Sequence, residues 1–263
     1  MRKIEINELK QIQLYIMDFI HDICEKNEIK YWLEFGSLIG AVRHKGYIPW
    51  DDDIDIGMLR EDYIKFCTVC KDPDNRYVLH NVDNDNHYNF LFGKVYDTRT
   101  VEKDGNAMEE TCVNVDIFVF DDIPGDKIQQ KKMFNKRDYY RKLNNIQTKD
   151  FHKKNIIKTM VAAILKGILN IWPKNYFLKK FQTKMMKNNG KEIYAANLCG
   201  YSRYIFEKAD VEKTLLVPFE DRKYRIPEGY DRMLTTCFGN YMKLPPEDKR
   251  VPAHKDIEVF MKE

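Results

Sequence analysis

Residues Phe35–Met58 read FGSLIGAVRHKGYIPWDDDIDIGM, a Gly-Ser pair, two basic residues, and then Asp51, Asp52, Asp53 and Asp55. Asp53 and Asp55 alternate with Ile54 and Ile56, so a strand would place both carboxylates on one face and both isoleucines on the other. Two carboxylates about 4 Å apart repel by roughly 4 kcal/mol at an effective dielectric near 20. A hard divalent cation with oxygen ligands offsets such repulsion. The stretch therefore predicts a magnesium-assisted phosphoryl-transfer site.

The flanking chain predicts a scaffold for it. Leu9, Ile12, Ile16, Phe19, Ile20 and Ile23 are spaced by three and four, which predicts an amphipathic helix over 7–27 with Asn7 as its N-cap. Tyr31 to Phe35 reads as a short strand. Leu38 to Arg43 reads as a helix that Ser37 would cap, aiming free backbone N–H groups at an anion. Arg60 to Cys70 is a second amphipathic helix, stopped by Pro73, and strands are expected at Tyr77 to His80 and Tyr88 to Tyr96. The loop between them, NVDNDNH, lacks the glycine and terminal glutamate of a calcium loop and reads as a turn. Residues 113–120, VNVDIFVF, form a strong strand carrying one acidic residue, Asp116. A carboxylate in so apolar a run is costly unless paired or metal-bound. DDIPGD at 121–126 reads as a closing turn.

Net charge is +3, but its distribution is uneven. Residues 131–191 hold 17 Lys and Arg against only Asp138 and Asp150, a local net of +15, while the remainder carries −12. A block of this kind suggests an anionic partner, with a solvated helical face as the competing reading. It reads as helices over roughly 127–145, 153–172 and 175–188. The middle one is apolar on most sides and is expected to be a core helix, the alternative being a membrane-surface helix with lysines at its rim. No segment reaches the ~20 apolar residues of a membrane span, and MRKIEINELKQIQ has no apolar signal region, so a cytoplasmic protein is expected. The six cysteines fit structural roles in a reducing compartment. Further on, LLVPFEDRKYRIP predicts a β-hairpin around 220–223, Tyr230 to Phe238 a short helix, and GNYMKLPPEDKRVPAH a loop.

A Gly-Ser turn followed by D-x-D and a later strand aspartate is the layout of nucleotidyltransferase-fold enzymes. Gly36 lets backbone approach a phosphate and Ser37 can donate to it. Asp53 and Asp55 would hold one or two Mg²⁺ ions. Asp116 would share a metal and accept a proton from an incoming hydroxyl. Arg43, Lys45 and Lys94 are the candidate phosphate clamps.

The run GSLIGAVRHKGYIPWDDDIDIGMLREDY resembles the signature of the LicD family of phosphocholine transferases, and is similar to the fukutin-related ribitol-phosphate transferases. A second block, IPEGYDRMLTTCFGNYMKLPPEDKR, resembles that family's C-terminal motif, so the likeness brackets about residues 31 to 254. The resemblance implies an α/β (α+β) fold: a nucleotidyltransferase-like core with a short mixed sheet flanked by helices, plus a basic helical segment. The core would comprise 1–126 and 197–263, with 127–196 as the basic helical insertion. It further implies transfer of an alcohol phosphate from a CDP-linked donor, typically CDP-choline, to a sugar hydroxyl of a lipopolysaccharide or teichoic acid. Asp53, Asp55 and Asp116 would be the metal-binding carboxylates, for Mg²⁺ or alternatively Mn²⁺. Asp51 fits the generic spacing from Ser37 better than Asp53 does, so Asp51 or Asp52 is expected to share the metal or stand behind it. The expected partners are a CDP-alcohol, an anionic or lipid-linked glycan, and a membrane surface met peripherally, at its inner face, through 131–191. The competing readings are a true nucleotidyltransferase, for which the basic block would bind nucleic acid (not the expected partner), and an inactive glycan- or membrane-binding protein. A quaternary ammonium donor head would need an aromatic or acidic cage. Trp32, Tyr47, Trp50 and Tyr201 are available, and the sequence singles out none.

Overall fold

The computed structural model describes residues 1–104, 111–148, 156–186, 190, 192–200, 202–252 and 257–262. In chain order the first half runs β1 (Arg2–Lys3), α1 (Ile6–Lys26), β2 (Trp32–Leu33), α2 (Phe35–Arg43), β3 (Asp55–Leu59), α3 (Arg60–Val69), β4 (Tyr77–His80), β5 (Gly93–Asp97), β6 (Thr100–Asp104) and β7 (Asn114–Ile123). The second half runs α4 (Lys127–Thr148), α5 (Ile156–Leu169), α6 (Tyr176–Met186), β8 (Tyr194–Asn197), β9 (Ile205–Glu207), α7 (Ala209–Glu212), β10 (Thr214–Phe219), β11 (Arg222–Pro227), α8 (Tyr230–Phe238) and β12 (Ile257–Met261).

The main sheet has the order β2-β3-β7-β5-β4, and β8 and β9 continue it beyond the C-terminal half of β7. Among the described residues only β3 and β7 run parallel; the other pairings of this sheet are antiparallel. This is a mixed α/β architecture with a mixed sheet flanked by helices, as a nucleotidyltransferase-like core requires. A small sheet, β1-β12-β6, joins the two ends of the chain, and β10-β11 is a hairpin.

Alternation along β7 sets up both the core and the site. Val115, Ile117 and Val119 are fully buried, whereas Asn114, Asp116 and Phe118 turn to the other face and stay half-buried. The α1 helix lays Ile12, Ile16 and Ile20 into the same core cluster. Each such side chain contributes about 1.5–3 kcal/mol of apolar burial.

The sequence expectations hold for α1, α3, β4, the hairpin and α8, and differ elsewhere for identifiable reasons. Asn7 does not cap α1. The helix starts at Ile6 with Glu5 at the cap position, because Ile4 is already tied to the terminal sheet through its N–H to Val259 O, 2.8 Å. Ser37 does not cap a helix beginning at Leu38: α2 begins at Phe35 and Ser37 lies inside it. Asp53 precedes the strand instead of sharing it with Asp55, since β3 begins at Asp55. The strand expected over Tyr88 to Tyr96 is confined to Gly93–Asp97. DDI at 121–123 is not a turn but the end of β7. Its carboxylates are tolerated there because Arg60 makes two 2.8 Å hydrogen bonds to buried Asp121 and Lys208 lies 2.7 Å from Asp122.

The middle basic helix is the largest correction. It is not a core helix: α5 packs on the rest through a narrow side that includes buried Ala162 and half-buried Leu169, and turns its large aliphatic residues outward. The expected portions at 153–155 and 187–188 lie outside the described residues.

Candidate active site

Three adjacent strands carry the centre. Asp55 on β3 stands opposite Asp116 on β7 in the parallel register, and Lys94 on β5 stands opposite Asp116 on its other side. The Lys94 ammonium donates to Asp116 Oδ1 at 2.5 Å and to Asn114 Oδ1 at 2.9 Å. The loop before β3 adds Asp51, Asp52 and Asp53, each offering a carboxylate oxygen, all within 4.8 Å of one another.

Burial and crowding of like charge both show in the protonation of Asp55 and Asp51. Burial pushes the Asp55 carboxyl well above the usual carboxylate range, and the charges of Asp53 and Asp116 push it further. Asp51 is raised as well, first by burial and then by the Asp52 charge. A donor set made wholly of carboxylate oxygens that disfavour joint ionisation suits a hard divalent cation. The Asp51–Asp53 cluster can hold one, with Asp55 and Asp116 close behind.

The structure explains why a glycine stands at 36. A Cβ there would lie 2.6 Å from Asp51 Oδ2, so the missing side chain leaves room for that carboxylate. The preceding Phe35 takes a left-handed conformation, φ 46°, uncommon for a bulky residue. Ser37 is buried and its Oγ accepts the Asp55 backbone N–H at 2.9 Å, fixing α2 against the first residue of β3.

Of the three expected phosphate clamps, Lys94 is at the carboxylates and the other two are engaged elsewhere. Arg43 donates to His44 Nε2 at 2.8 Å and to Tyr241 O at 2.6 Å. Lys45 is exposed at a left-handed turn, φ 62°, with its Nζ reaching Val42 O at 3.4 Å. Among the aromatics considered for a cage, Trp32 and Tyr47 are core residues. Trp50 is partly buried, with the Arg250 guanidinium 5.7 Å from its ring centre, and Tyr201 lies outside the described residues.

Sequence reasoning missed several neighbours. Gln13 of α1 donates to Asp52 O at 2.8 Å. Burial lowers the Lys10 pKa, opposed by the nearby Asp51 charge. Nothing local in a regular amphipathic helix marks either residue. Asn114 was findable, since it lies two positions before Asp116 on the same strand face. A cavity of about 680 Å³ opens beside the centre, and its walls include Gln13, Asp52, Asp53, Phe90, Lys94 and Asp116. Phe90, Phe92, Phe118 and Phe35 form a continuous aromatic row beside it, with successive ring centres 4.9, 4.8 and 5.0 Å apart.

A parallel strand pair bearing facing carboxylates, an acidic loop at its entrance and a helix pinned to its first residue form the candidate active site of a nucleotidyltransferase-like core. The family model for the LicD/FKTN/FKRP nucleotidyltransferase domain matches residues 28–163. The chain is 30% identical over 265 residues to the lipopolysaccharide cholinephosphotransferase LicD of Haemophilus influenzae, covering 97% of both chains. It is 48% identical over 44 residues to the ribitol 5-phosphate transferase FKRP of Homo sapiens, 17% of this chain and 9% of that one. A 37% match over 113 residues joins it to an uncharacterised protein of Rickettsia prowazekii. The chain belongs to the LicD/FKRP family of nucleotidyltransferase-like proteins. Membership and the acidic cluster together support a phosphotransferase-type enzyme working by alcohol-phosphate transfer.

Proposed function

We propose that this protein transfers phosphocholine, or a related alcohol phosphate, from a CDP-linked donor to a hydroxyl of a cell-surface glycan of the lipopolysaccharide or teichoic acid type. The observation that carries the reading is the convergence of Asp51, Asp52 and Asp53 beside the Asp55–Asp116–Lys94 row, at the wall of a cavity large enough for a nucleotide donor. Full-length similarity to a cholinephosphotransferase supports the choice of alcohol.

Asp53, Asp55 and Asp116, with Asp51, would hold Mg²⁺ or Mn²⁺, whose chemistry here is to neutralise charge on the donor's diphosphate. Lys94 balances the carboxylates and faces the diphosphate as a point charge. The glycan hydroxyl oxygen attacks the phosphorus that bears the alcohol. A new P–O bond forms there as the bond to the CMP oxygen breaks. Asp116 takes the hydroxyl proton, and CMP leaves with the electron pair. Gly36 and Ser37 act by position: the first admits the Asp51 carboxylate and the second fixes the start of β3. A membrane-attached glycan would be met from the cytoplasmic side.

The deciding experiment supplies Mg²⁺, a glycan acceptor preparation and, in turn, CDP-choline, CDP-ethanolamine, CDP-glycerol and CDP-ribitol. Release of CMP with one donor strongly preferred is expected. Pyrophosphate release from CTP, with none of these donors consumed, would overturn the reading in favour of nucleotidyl transfer.

A further inference from the structure

The exposed side of α5 has no counterpart in the catalytic reading. Met160, Val161, Ile164, Leu165 and Ile168 recur at spacings of three and four and form one stripe, 41–63% exposed. Ile171 extends it at 78% exposure. An ordinary amphipathic surface helix turns this stripe to the core; α5 turns it to the outside. Five large apolar residues on one helix face, with Ile171 just past its end, exceed the scattered apolar exposure normal for a soluble protein.

The end of the stripe has a distinct chemistry. Trp172 is 38% exposed and stacks on Tyr176, ring centres 5.9 Å apart. Lys180 Nζ lies 5.3 Å from the centre of the Tyr176 ring, and Lys174 is exposed between the two aromatics in sequence. Aromatic rings with one wet edge, bordered by lysines, are what the boundary between acyl chains and headgroups selects. The position of α5 is fixed from below: Gln147 of α4 donates to the carbonyls of Leu169 and Trp172 at 3.0 and 2.7 Å, holding the helix end in place.

We infer that the outward face of α5, from Met160 to Trp172, docks the protein onto an anionic phospholipid surface. Charge decides the occupant. The segment 131–191 carries a net +15, and the described parts of α4, α5 and α6 hold one acidic residue, Asp138, which is paired with Arg137 and Arg203. A second copy would bring two such segments together and be repelled; an anionic bilayer attracts one through each basic residue near its surface. No helix among the described residues is long and apolar enough to cross a membrane. At 14 residues α5 suits lying in the plane of the interface with its apolar side down. The inference stands on this face alone and does not depend on which donor the active site takes.

The test is co-sedimentation of the full chain, without donor or metal, with vesicles of phosphatidylglycerol and phosphatidylcholine in equal parts and with phosphatidylcholine alone. Binding to the anionic vesicles, falling as salt rises, is expected, with little binding to the neutral ones. Ile164→Gln with Ile168→Gln should lower partitioning at least about tenfold. Glutamine is at least as good a helix former as isoleucine, so α5 should persist by circular dichroism. Lys174→Glu with Lys180→Glu should weaken anionic binding and flatten its salt dependence. Both pairs lie far from the carboxylates in the chain, and metal binding measured calorimetrically should not change. Unaltered vesicle binding by the glutamine variant would overturn the inference. So would a wild-type dimer in light scattering that the glutamine variant converts to monomer while neither protein binds vesicles.

Discussion

Asp55 and Asp116 face one another across the parallel strand pair β3–β7 of the main sheet, and Lys94 is hydrogen-bonded to Asp116 from the far side. That pairing puts two carboxylates side by side on a half-buried face, where Asp55 disfavours its own ionised form. Such a row is a cost to the empty fold and a benefit once divalent charge is present. Asp55→Asn should therefore abolish CMP release, with a loss of at least about a hundredfold, while leaving the apoprotein as stable as wild type or more so. Thermal unfolding with and without Mg²⁺ checks this. The metal should raise the midpoint of the wild type and leave the Asp55→Asn and Asp53→Asn variants almost unmoved. Retained activity in either variant would remove these residues from the metal site.

Gly36 offers a finer test, because its role is steric. A methyl group there meets Asp51 Oδ2 at 2.6 Å, and the carboxylate must move. Gly36→Ala should weaken Mg²⁺ affinity by about 10–100-fold, as loss of a supporting contact typically does, with the fold retained because alanine favours the helix that contains it. Calorimetric titration of Mg²⁺ measures it. Unchanged affinity would show that Asp51 is not a ligand.

The Arg60–Asp121 pair predicts a stability effect separate from catalysis. Both side chains are buried and share two 2.8 Å hydrogen bonds between α3 and the end of β7. Asp121→Asn leaves the guanidinium without its counter-charge and should cost about 3–5 kcal/mol in urea unfolding. Replacing both partners with apolar residues should cost less than that single change, and a double-mutant cycle reads the difference.

The same pair shows where the sequence is legible and where it is not. DDIPGD looks like a turn because acidic residues rarely end a buried strand. What reverses that is Arg60, sixty-one positions earlier, and no local window contains both. Alternation made β7 and Asp116 readable, and period made α1, α3 and α8 readable, because those signals are local. Asp51, Asp53 and Asp55 were visible through their density in one short run. Gln13 and Lys10 were not, since their link to the aspartates exists only after α1 packs. Strands β8 and β12 take their pairing from β7 and β6, far along the chain, and β9, three residues long, only extends β8. Helix α5 misled for the opposite reason. Its composition is that of a core helix, and its narrow contact with α4 leaves its apolar side facing out.

Glu34 supplies a pH signature of the fold itself. It sits just before α2, is 2% exposed and accepts a 2.5 Å hydrogen bond from the Trp32 indole. Burial pushes its carboxyl up to about 7 from an ordinary value of 4.5. The unfolded chain therefore releases this proton first. As pH rises from about 4.5 to about 7 the unfolded state gains stability that the folded state does not, and the fold weakens across that window. Below it the contribution is fully favourable; above it the loss is complete, up to about 3 kcal/mol for a shift of this size. Glu34→Gln keeps an oxygen for the indole N–H and has no proton to lose. Its stability relative to wild type should rise between pH 4.5 and 7 and level off above, as measured by urea unfolding at a series of pH values. A wild type and variant that track each other across the window would show that Glu34 ionises in the folded protein as freely as in the unfolded one.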